Sequence, residues 1–394
     1  MRHRSTVLQR HPKLVIAMIV GGALTVLLGI TEAVLQRLYV ARGEGFLGQH
    51  ERYVQLRENT PSTRMANYQT VEGERREFVL HTDASGYIMP SDVHTAPDVK
   101  IVFLGGSTTE CLLVSEEARF PARTGRLLEQ GTGLKVNTYN AGRSASNSLH
   151  SLNVLLNKAA GMKPHLAVMM HNVNDLGFLM ANGSYWSETA PEHIRIIRKF
   201  EANASGQETL GSLARRLKNS LIPYTWLAVR SAMARVERDF APATLLSEGE
   251  TQDLDIPEQV RADQLAPQEL SIVADFARAQ RTFVSLTRAL GIRPVLMTQA
   301  RADVIPANAN RADMALLTRH AVLHAYLNQV IRDVGAETGV RVIDLERFVK
   351  KHPDRRRFFY DSVHYGDVGS LAVADLITND LAAEIAEMRT SRTQ

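Results

Sequence analysis

The stretch VKIVFLGGSTTE, residues 99–110, decides the fold. Its first six residues are apolar except for one lysine, which is typical of a β-strand buried in a parallel sheet. The strand runs into two glycines and then Ser107. The turn places a hydroxyl group where there are almost no other side chains, so Ser107 is a candidate nucleophile.

Four later stretches also predict strands, and amphipathic helical patterns separate them. The strands are KVNTYNAG from residue 135, PHLAVMMHNVND from 164, RPVLMTQ from 293 and VRVIDLE from 340. Helices are predicted at 120–130, 148–160, 268–290 and 315–334. Strands that alternate with helices form right-handed βαβ crossovers, so we expect a three-layer α/β/α fold with about five parallel strands. In such a sheet, ligands bind beyond the carboxyl ends of the strands.

The composition suits a folded protein of one large domain or two ordinary ones, since 44% of the 394 residues are hydrophobic. The net charge is +4, and the N-terminal tail supplies all of it through Arg2, Arg4, Arg10 and Lys13. The remainder is neutral overall, which argues against nucleic acid as a partner. Cys111 is the only cysteine, so no intramolecular disulfide can form, and we expect it to be a small buried side chain.

The N-terminal region predicts a membrane anchor. Residues 14–31 contain no charged side chain, and the apolar pattern extends beyond Glu32 to residue 35. This length favours an uncleaved transmembrane helix at 14–35, with the basic tail, residues 1–13, in the cytoplasm. The rest is then periplasmic or otherwise extracytoplasmic, beginning with a juxtamembrane stalk at 36–66. A cleaved signal peptide is the alternative, although no convincing small-x-small site follows.

A domain at residues 67–390 should hold the sheet, opening with two short strands around a turn at 83–86. Residues 177–265 break the alternation of strands and helices and predict an inserted helical cap. Within them, residues 213–240 carry a helical stripe of apolar side chains, interrupted at Pro223, beside several arginines. This segment either packs on the domain as a cap helix or rests on the anchoring membrane as a basic amphipathic surface.

Polar residues follow three of the predicted strands, where the sheet should bind its ligand, and a fourth set lies near the C-terminus. The sets are Gly105-Gly106-Ser107, Asn140-Ala141-Gly142, Asn172-Val173-Asn174-Asp175 and Asp361-Ser362-Val363-His364.

These sets contain the parts of a nucleophilic mechanism. Ser107 is the candidate nucleophile, His364 can remove its proton, and Asp361 can hold the imidazole by its other nitrogen. An oxyanion would find donors in the Ser107 N–H, the Gly142 N–H and the Asn174 side-chain amide. Glycine at position 142 is expected because a Cβ there would keep the backbone away from the substrate.

Each set also has a purely structural interpretation. Ser107 could be a helix N-cap or part of an anion-binding turn, although no Gly-Lys-Ser/Thr follows to form a P-loop. Asn-Asp is common in turns, and Asp-x-x-His before a helix could be a cap. His320 and His324 lie four apart on a predicted helix and could hold a metal, but no third ligand is evident, so we expect a solvated helix face. His171 is expected near the mouth of the pocket, with no assigned role.

The four sets, in this order, resemble those of the SGNH hydrolase superfamily, also called GDSL-type esterases. The matching blocks are FLGGSTTE with Ser107, YNAGRSASN with Gly142, HNVNDL with Asn174, and DSVHYGDVGS with Asp361 and His364. The resemblance implies a flavodoxin-like sheet and ester hydrolysis or acyl transfer that requires no metal or organic cofactor.

Two positions depart from the family pattern. Gly106 stands where the Gly-Asp-Ser signature has aspartate, and the resulting Gly-Gly-Ser-Thr is similar to membrane-associated and polysaccharide-modifying branches of the superfamily. Asn172 stands where the family has glycine in Gly-x-Asn-Asp, and it either alters the oxyanion pocket or adds a donor to it.

We therefore expect a membrane-anchored serine esterase or O-acyltransferase that acts on acyl esters, preferably acetyl esters of an envelope or secreted saccharide. Polysaccharide-biosynthesis proteins are the partners that the resemblance suggests. Two alternatives stay open. One is a non-catalytic saccharide-binding or scaffolding protein of an export complex, and the other is a lipid esterase with residues 213–240 as an interfacial lid.

Overall fold

The computed structural model describes residues 12–41, 62–69, 75–185, 221–222, 224–226, 228–229, 251–306 without 255, 258 and 259, and 311–390. The chain divides into two compact units. The first comprises Met1–Gln55 and Pro191–Pro242, and the second comprises Leu56–Ala190 and Ala243–Gln394. The predicted cap at 177–265 and its apolar stripe at 213–240 therefore lie mostly outside the described residues.

In the first unit, the predicted anchor is a helix, α1, which covers Pro12–Ala41. Its segment Val15–Leu38 is long and apolar enough to cross a membrane by length and composition, with a mean hydropathy of 2.0. The helix continues beyond the predicted boundary at residue 35, and no glycine or proline lies between that residue and Gly43. The membrane boundary at residue 35 and the stalk at 36–66 stay predictions.

The second unit alternates strands and helices along the chain. In chain order its strands are β1 (Ser62–Gln69), β2 (Arg75–Thr82), β3 (Val99–Gly105), β4 (Val136–Asn140), β5 (Leu166–Met170), β6 (Thr251–Asp253), β7 (Arg293–Met297), β8 (Val304–Pro306) and β9 (Arg341–Ile343). Its helices are α2 (Ser107–Glu110), α3 (Phe120–Thr132), α4 (Ser148–Val154), α5 (Val173–Asn182), α6 (Pro267–Ala289), α7 (Arg311–Thr338), α8 (Leu345–Lys351) and α9 (Asp367–Thr390).

Five of these strands form one sheet in the order β4-β3-β5-β7-β9, and every neighbouring pair is parallel. Numbered within the sheet, this order is 2-1-3-4-5, as in flavodoxin-like folds. The predicted α/β fold and the positions of its five strands are thus confirmed. Two smaller antiparallel pairs, β1 with β2 and β6 with β8, lie outside this sheet.

Side chains of β3 point alternately to two faces of the sheet, and both faces are covered. Val99, Ile101 and Phe103 pack into one core with α3, α8 and α9. Val102 and Leu104 pack into a second core with α4, α5, α6 and α7. Burial on both faces explains why the strand is almost continuously apolar in sequence.

The start of the second unit differs from its prediction. Residues 62–66 of strand β1 were expected to be stalk, because the sequence STRMANYQ shows no apolar alternation, yet β1 pairs with β2 along its whole length. The second of the two short strands predicted around the turn at 83–86 is reduced to a single bridging residue, Ile88. Asp83 closes the turn by accepting the Tyr87 N–H at 2.9 Å, and Pro90 has no N–H with which to extend the ladder.

The connections around β3 diverge at its carboxyl end, which is where sheets of this topology bind ligands. The chain leaves β3 for β4 through α3 on one face, and leaves β4 for β5 through α4 on the other. Strand order reverses at this point, so loops from both sides diverge beyond β3 and β5. The residues that follow these two strands therefore lie where such sheets bind ligands.

Two glycines of α3 allow a matched test of the packing between this helix and β4. Gly125→Ala should lower the unfolding temperature, because a Cβ there would lie 2.8 Å from Thr138 Cγ2. Such overpacking costs about 1–3 kcal/mol, which exceeds the roughly 0.5–1 kcal/mol that alanine contributes to a helix. Gly131→Ala should raise stability by that smaller amount, since its Cβ meets nothing within 4 Å. Thermal unfolding of the detergent-solubilised chain, followed by circular dichroism, measures both, and equal shifts would contradict the packing.

Candidate active site

The Gly-Gly-Ser turn is shaped by close packing around the short helix α2. A Cβ at Gly105 would overlap Thr109 Oγ1 and lie 2.9 Å from the Met170 carbonyl oxygen. A Cβ at Gly106 would overlap the side-chain amide of Asn174. Only glycine fits at either position without displacing its neighbour, so the two glycines bring Ser107 out of β3 and against the residues that follow β5.

Ser107 lies within hydrogen-bond distance of the histidine that was predicted to be its partner. His364 Nε2 is 2.7 Å from Ser107 Oγ, and His364 Nδ1 is 2.7 Å from Asp361 Oδ2. The imidazole thus joins hydroxyl and carboxylate through its two nitrogens. This is the geometry in which a neutral imidazole can accept the serine proton while the carboxylate stabilises the imidazolium that forms.

The carboxylate of Asp361 is held ionised. Burial by itself would raise its pKa, but the hydrogen bond and charge of His364 outweigh that effect and lower the pKa below its usual 3.8. The backbone N–H groups of Val363 and His364 add to this effect by donating to Asp361 Oδ1 at 2.9 and 2.7 Å. The Asp-x-x-His spacing therefore forms a tight turn in which the acid orients both the ring and the backbone of the histidine.

Neighbouring residues fix the loop that carries Asp361 and His364. The Ala302 N–H, beyond the end of β7, donates to the Ser362 carbonyl oxygen at 2.9 Å. The Tyr360 ring stacks on the His364 ring at an interplanar angle of 8°, with 5.6 Å between the ring centroids. These contacts leave the imidazole little freedom to turn away from Ser107.

The predicted oxyanion donors gather around α2, although two of them already have partners. Gly142 N–H donates to Asn140 Oδ1 at 2.9 Å, and Asn174 Nδ2 donates to the Ser146 carbonyl oxygen at 2.8 Å. The third donor, the backbone N–H of Ser107, lies at the start of α2. Packing gives a further reason for glycine at position 142, because a Cβ there would meet the backbone N of Glu110 at 2.5 Å.

Asn172 belongs to a buried amide network and supplies no donor to a pocket at Ser107. Its Nδ2 donates to the His324 carbonyl oxygen and to Asn328 Oδ1, both at 2.9 Å. Asn328 Oδ1 also accepts the Gln299 N–H at 3.0 Å, and Gln299 Nε2 donates to Thr108 Oγ1 at 2.9 Å. The network links the ends of β5 and β7 to α7 and to the residue after the candidate nucleophile.

A second Ser-His-Asp set lies in the interior. Ser151 Oγ is 2.6 Å from His171 Nε2, and His171 Nδ1 is 3.6 Å from Asp175 Oδ2. The His171 and Asp175 side chains are 1% and 0% exposed, whereas those of His364 and Asp361 are 26% and 31% exposed. Our expectation that His171 lies at the mouth of the pocket is therefore wrong, and burial lowers the pKa of its ring below 6.5.

The two helical histidines do not form a solvated face as predicted. His324 is 1% exposed, and its Nε2 has no hydrogen-bond partner among the described residues. Burial and the nearby Arg301 lower the pKa of His320 to about 4, and they lower that of His324 well below 6.5. Both rings are thus neutral at pH 7. Within the described ranges, no group of three or more His, Cys, Asp or Glu side chains is arranged to hold a metal ion.

The sequence prediction gave no role to three residues that organise this site, although it included Asn140 in one of the polar sets. Asn140 binds both the Gly142 N–H and, through Nδ2, the Thr109 carbonyl oxygen at 2.8 Å. Gln299 and Asn328 join the strand ends in the amide network. Asn140 and Gln299 do stand at the ends of predicted strands, which was the available signal, whereas Asn328 lies inside a helix with nothing to distinguish it.

No protein-family model matches the sequence, and no curated protein matches it. Solved structures similar to this chain include a lipase/acylhydrolase from Enterococcus faecalis, with 15% identity and a TM-score of 0.39, covering 73% of this chain and 96% of that chain. Axe2, an acetylxylan esterase from Geobacillus stearothermophilus, has 14% identity and a TM-score of 0.37, covering 73% and 94%. The acetyl xylan esterase AlAXEase has 14% identity and a TM-score of 0.36, covering 71% and 98%.

The single thiol gives a simple test of how α2 ends. Cys111 is 4% exposed, and burial raises the pKa of its thiol to about 12, so almost none of it is thiolate at pH 8. We expect no reaction of the native chain with a disulfide reagent such as DTNB, and one thiol per chain after unfolding in guanidinium chloride. Rapid reaction of one thiol per native chain with the reagent would show that Cys111 is accessible.

Proposed function

We propose that this protein is a serine ester hydrolase or O-acyltransferase, with Ser107 as nucleophile, His364 as general base and Asp361 as the carboxylate that orients it. The observation that carries the proposal is the continuous contact from Asp361 Oδ2 through His364 to Ser107 Oγ, with 2.7 Å at each step. Partial exposure of His364 and Asp361 at the carboxyl edge of the sheet supports access of an ester to this contact.

In the proposed reaction, Ser107 Oγ attacks the carbonyl carbon of the ester while its proton moves to His364 Nε2. The tetrahedral intermediate collapses as the imidazolium returns that proton to the leaving alcohol, and an acyl-serine remains. Water or a second hydroxyl group then attacks the acyl-serine, with His364 again as base. Asp361 stays ionised throughout and stabilises the imidazolium, in keeping with its low pKa.

The oxyanion of the intermediate would receive hydrogen bonds from the Ser107 N–H, the Gly142 N–H and the Asn174 amide. Two of these groups already donate to protein oxygens, at 2.9 Å for Gly142 and 2.8 Å for Asn174. Those bonds hold the donors in position before the substrate arrives. A developing negative charge attracts a donor more strongly than a neutral amide or carbonyl oxygen does, so the donors can be shared with it.

Helix α1 would hold the protein in a membrane, with the N-terminal basic tail in the cytoplasm and the sheet outside it. An O-acetylated saccharide of the envelope is the substrate class that we favour, on the basis of the SGNH resemblance and this location. The acceptor is water in a hydrolase and a sugar hydroxyl in a transferase. Analysis of the products from an acetylated saccharide, with and without a second saccharide as acceptor, distinguishes the two.

The two Ser-His-Asp sets allow a controlled test of the nucleophile. Ser107→Ala should abolish labelling by a fluorophosphonate probe and lower kcat for p-nitrophenyl acetate by at least about a thousandfold. Ser151→Ala should keep the labelling, because its serine is buried, while stability falls by about 1–3 kcal/mol through the lost bond to His171. Active-site labelling, acetate release and thermal unfolding are measured on the full chain.

Ser362→Ala serves as a further control, since this exposed serine lies in the same loop as His364. Labelling that persists in Ser107→Ala and disappears in Ser151→Ala would assign the reaction to the buried set instead. A folded wild-type chain that takes up no probe at all would point to a binding or scaffolding role.

The contact of Gly106 with Asn174 predicts a double-mutant cycle. Asn174→Ala removes one oxyanion donor and should lower kcat about 10²–10³-fold with little change in KM. Gly106→Ala should have a similar effect, because its Cβ would displace the Asn174 amide. The kcat of the double variant should then be only slightly lower than that of the less active single variant, since both changes act on one amide.

Steady-state kinetics with p-nitrophenyl acetate measures this cycle, and Gly131→Ala, which adds a Cβ in open space, should keep the wild-type kcat. If the two losses of kcat were fully additive in free energy, Gly106 would act on catalysis by a route other than Asn174.

A further inference from the structure

The apolar helix α1 carries one charged residue near the end of its candidate membrane span. Glu32 is the only acidic or basic residue between Lys13 and Arg37. The uncharged residues 14–31 before it rise by about 27 Å as an α-helix, close to the roughly 30 Å of a bilayer's hydrocarbon core. With the basic tail in the cytoplasm, Glu32 therefore lies at the outer edge of the hydrocarbon core.

At that level, Glu32 binds a distant segment of the same compact unit. Its Oε1 accepts the Tyr224 N–H at 2.6 Å, and its Oε2 accepts the Thr225 N–H and the Thr225 hydroxyl, both at 2.7 Å. The segment is helical here, because the Trp226 N–H donates to the Ile222 carbonyl oxygen at 3.0 Å. The carboxylate accepts from two successive backbone N–H groups at the start of this turn, and they stabilise its charge.

This segment exposes apolar side chains beside the anchor. Leu221 is 68% exposed, Trp226 39% and Val229 43%. Tryptophan and tyrosine are enriched where the hydrocarbon core meets the headgroups, which is the level that Glu32 sets. In sequence, the flanks carry Arg215, Arg216, Lys218, Arg230 and Arg235, which lipid phosphates attract.

We propose that the described residues 221–222, 224–226 and 228–229 belong to an interfacial membrane element, held at the outer edge of the bilayer by the hydrogen bonds to Glu32. The partner of Leu221, Trp226 and Val229 is lipid of the membrane that α1 crosses. This inference rests on the proposed anchoring by α1, but it does not depend on the proposed esterase chemistry. It gives the first unit two points of contact with one membrane.

Fluorescence quenching of the full chain in phosphatidylcholine/phosphatidylglycerol vesicles tests the proposal. The sequence has two tryptophans, so Trp186→Phe leaves Trp226 as the sole reporter. We expect blue-shifted emission, loss of fluorescence with lipids brominated near the headgroup, and weak quenching by aqueous acrylamide. Flotation of the vesicles after carbonate washing measures anchoring separately, and fluorophosphonate labelling measures the esterase site.

Variants of α1 then test the role of Glu32. Glu32→Leu keeps an apolar span but removes both acceptor oxygens, so quenching by brominated lipid should fall and quenching by acrylamide should rise. Thr31→Val is the matched control, because the Thr31 hydroxyl donates to the Leu27 carbonyl oxygen of its own helix, at 2.9 Å. Quenching of this variant by brominated lipid and by acrylamide should equal that of the Trp186→Phe chain.

The outcomes separate the two proposals. A chain that is washed off the vesicles contradicts the anchoring itself. Two results with a chain that still floats would overturn the lipid contact alone. In one, acrylamide quenches Trp226; in the other, a protein contact shields Trp226 from both quenchers. Unchanged lipid quenching in Glu32→Leu would overturn the assignment of Glu32 as the residue that holds the segment.

Discussion

The close packing of backbone around the four-residue helix α2 is the constraint on which the candidate site depends. Gly105, Gly106 and Gly142 each lie where a Cβ would meet α2 or the residues that follow β5. Their lack of side chains lets three loops approach one short helix, and this approach holds Ser107 at the carboxyl ends of β3 and β5. Glycine at position 106 has a physical reason here, since a side chain at this position would displace the Asn174 amide.

Burial distinguishes two arrangements that share the same chemistry. The interior set of Ser151, His171 and Asp175 has short contacts, but substrate has no route to side chains that are almost fully buried, and burial keeps the histidine neutral. Asp361 and His364 remain partly exposed, and their hydrogen bonds keep the carboxylate ionised in spite of desolvation. Access of a substrate to a polar set therefore depends on where the set lies relative to the sheet edge, and not on its residue types alone.

The five strands of the sheet were predictable because a buried parallel strand is a continuous apolar run, as in residues 99–104 and 166–170. Ser107, Asp361 and His364 were recognisable as a set from their order and spacing. Strand β1 was missed because its polar sequence has no periodicity, and Asn328 was missed because a helix interior gives no sign of which polar residue is buried. For the same reason the burial of His324 was predicted wrongly.

By itself, the sequence determined the types and order of the strands and helices, the apolar span of α1, and the polar residues at the strand ends. Tertiary structure alone decided that Ser107 and His364, 257 positions apart, lie 2.7 Å from each other, and that Glu32 meets Tyr224 and Thr225. The physical reason is that side-chain periodicity reports only on a residue's own helix or strand. Distances between remote residues are set by strand order, by close approaches at glycines and by which polar groups must find partners on burial.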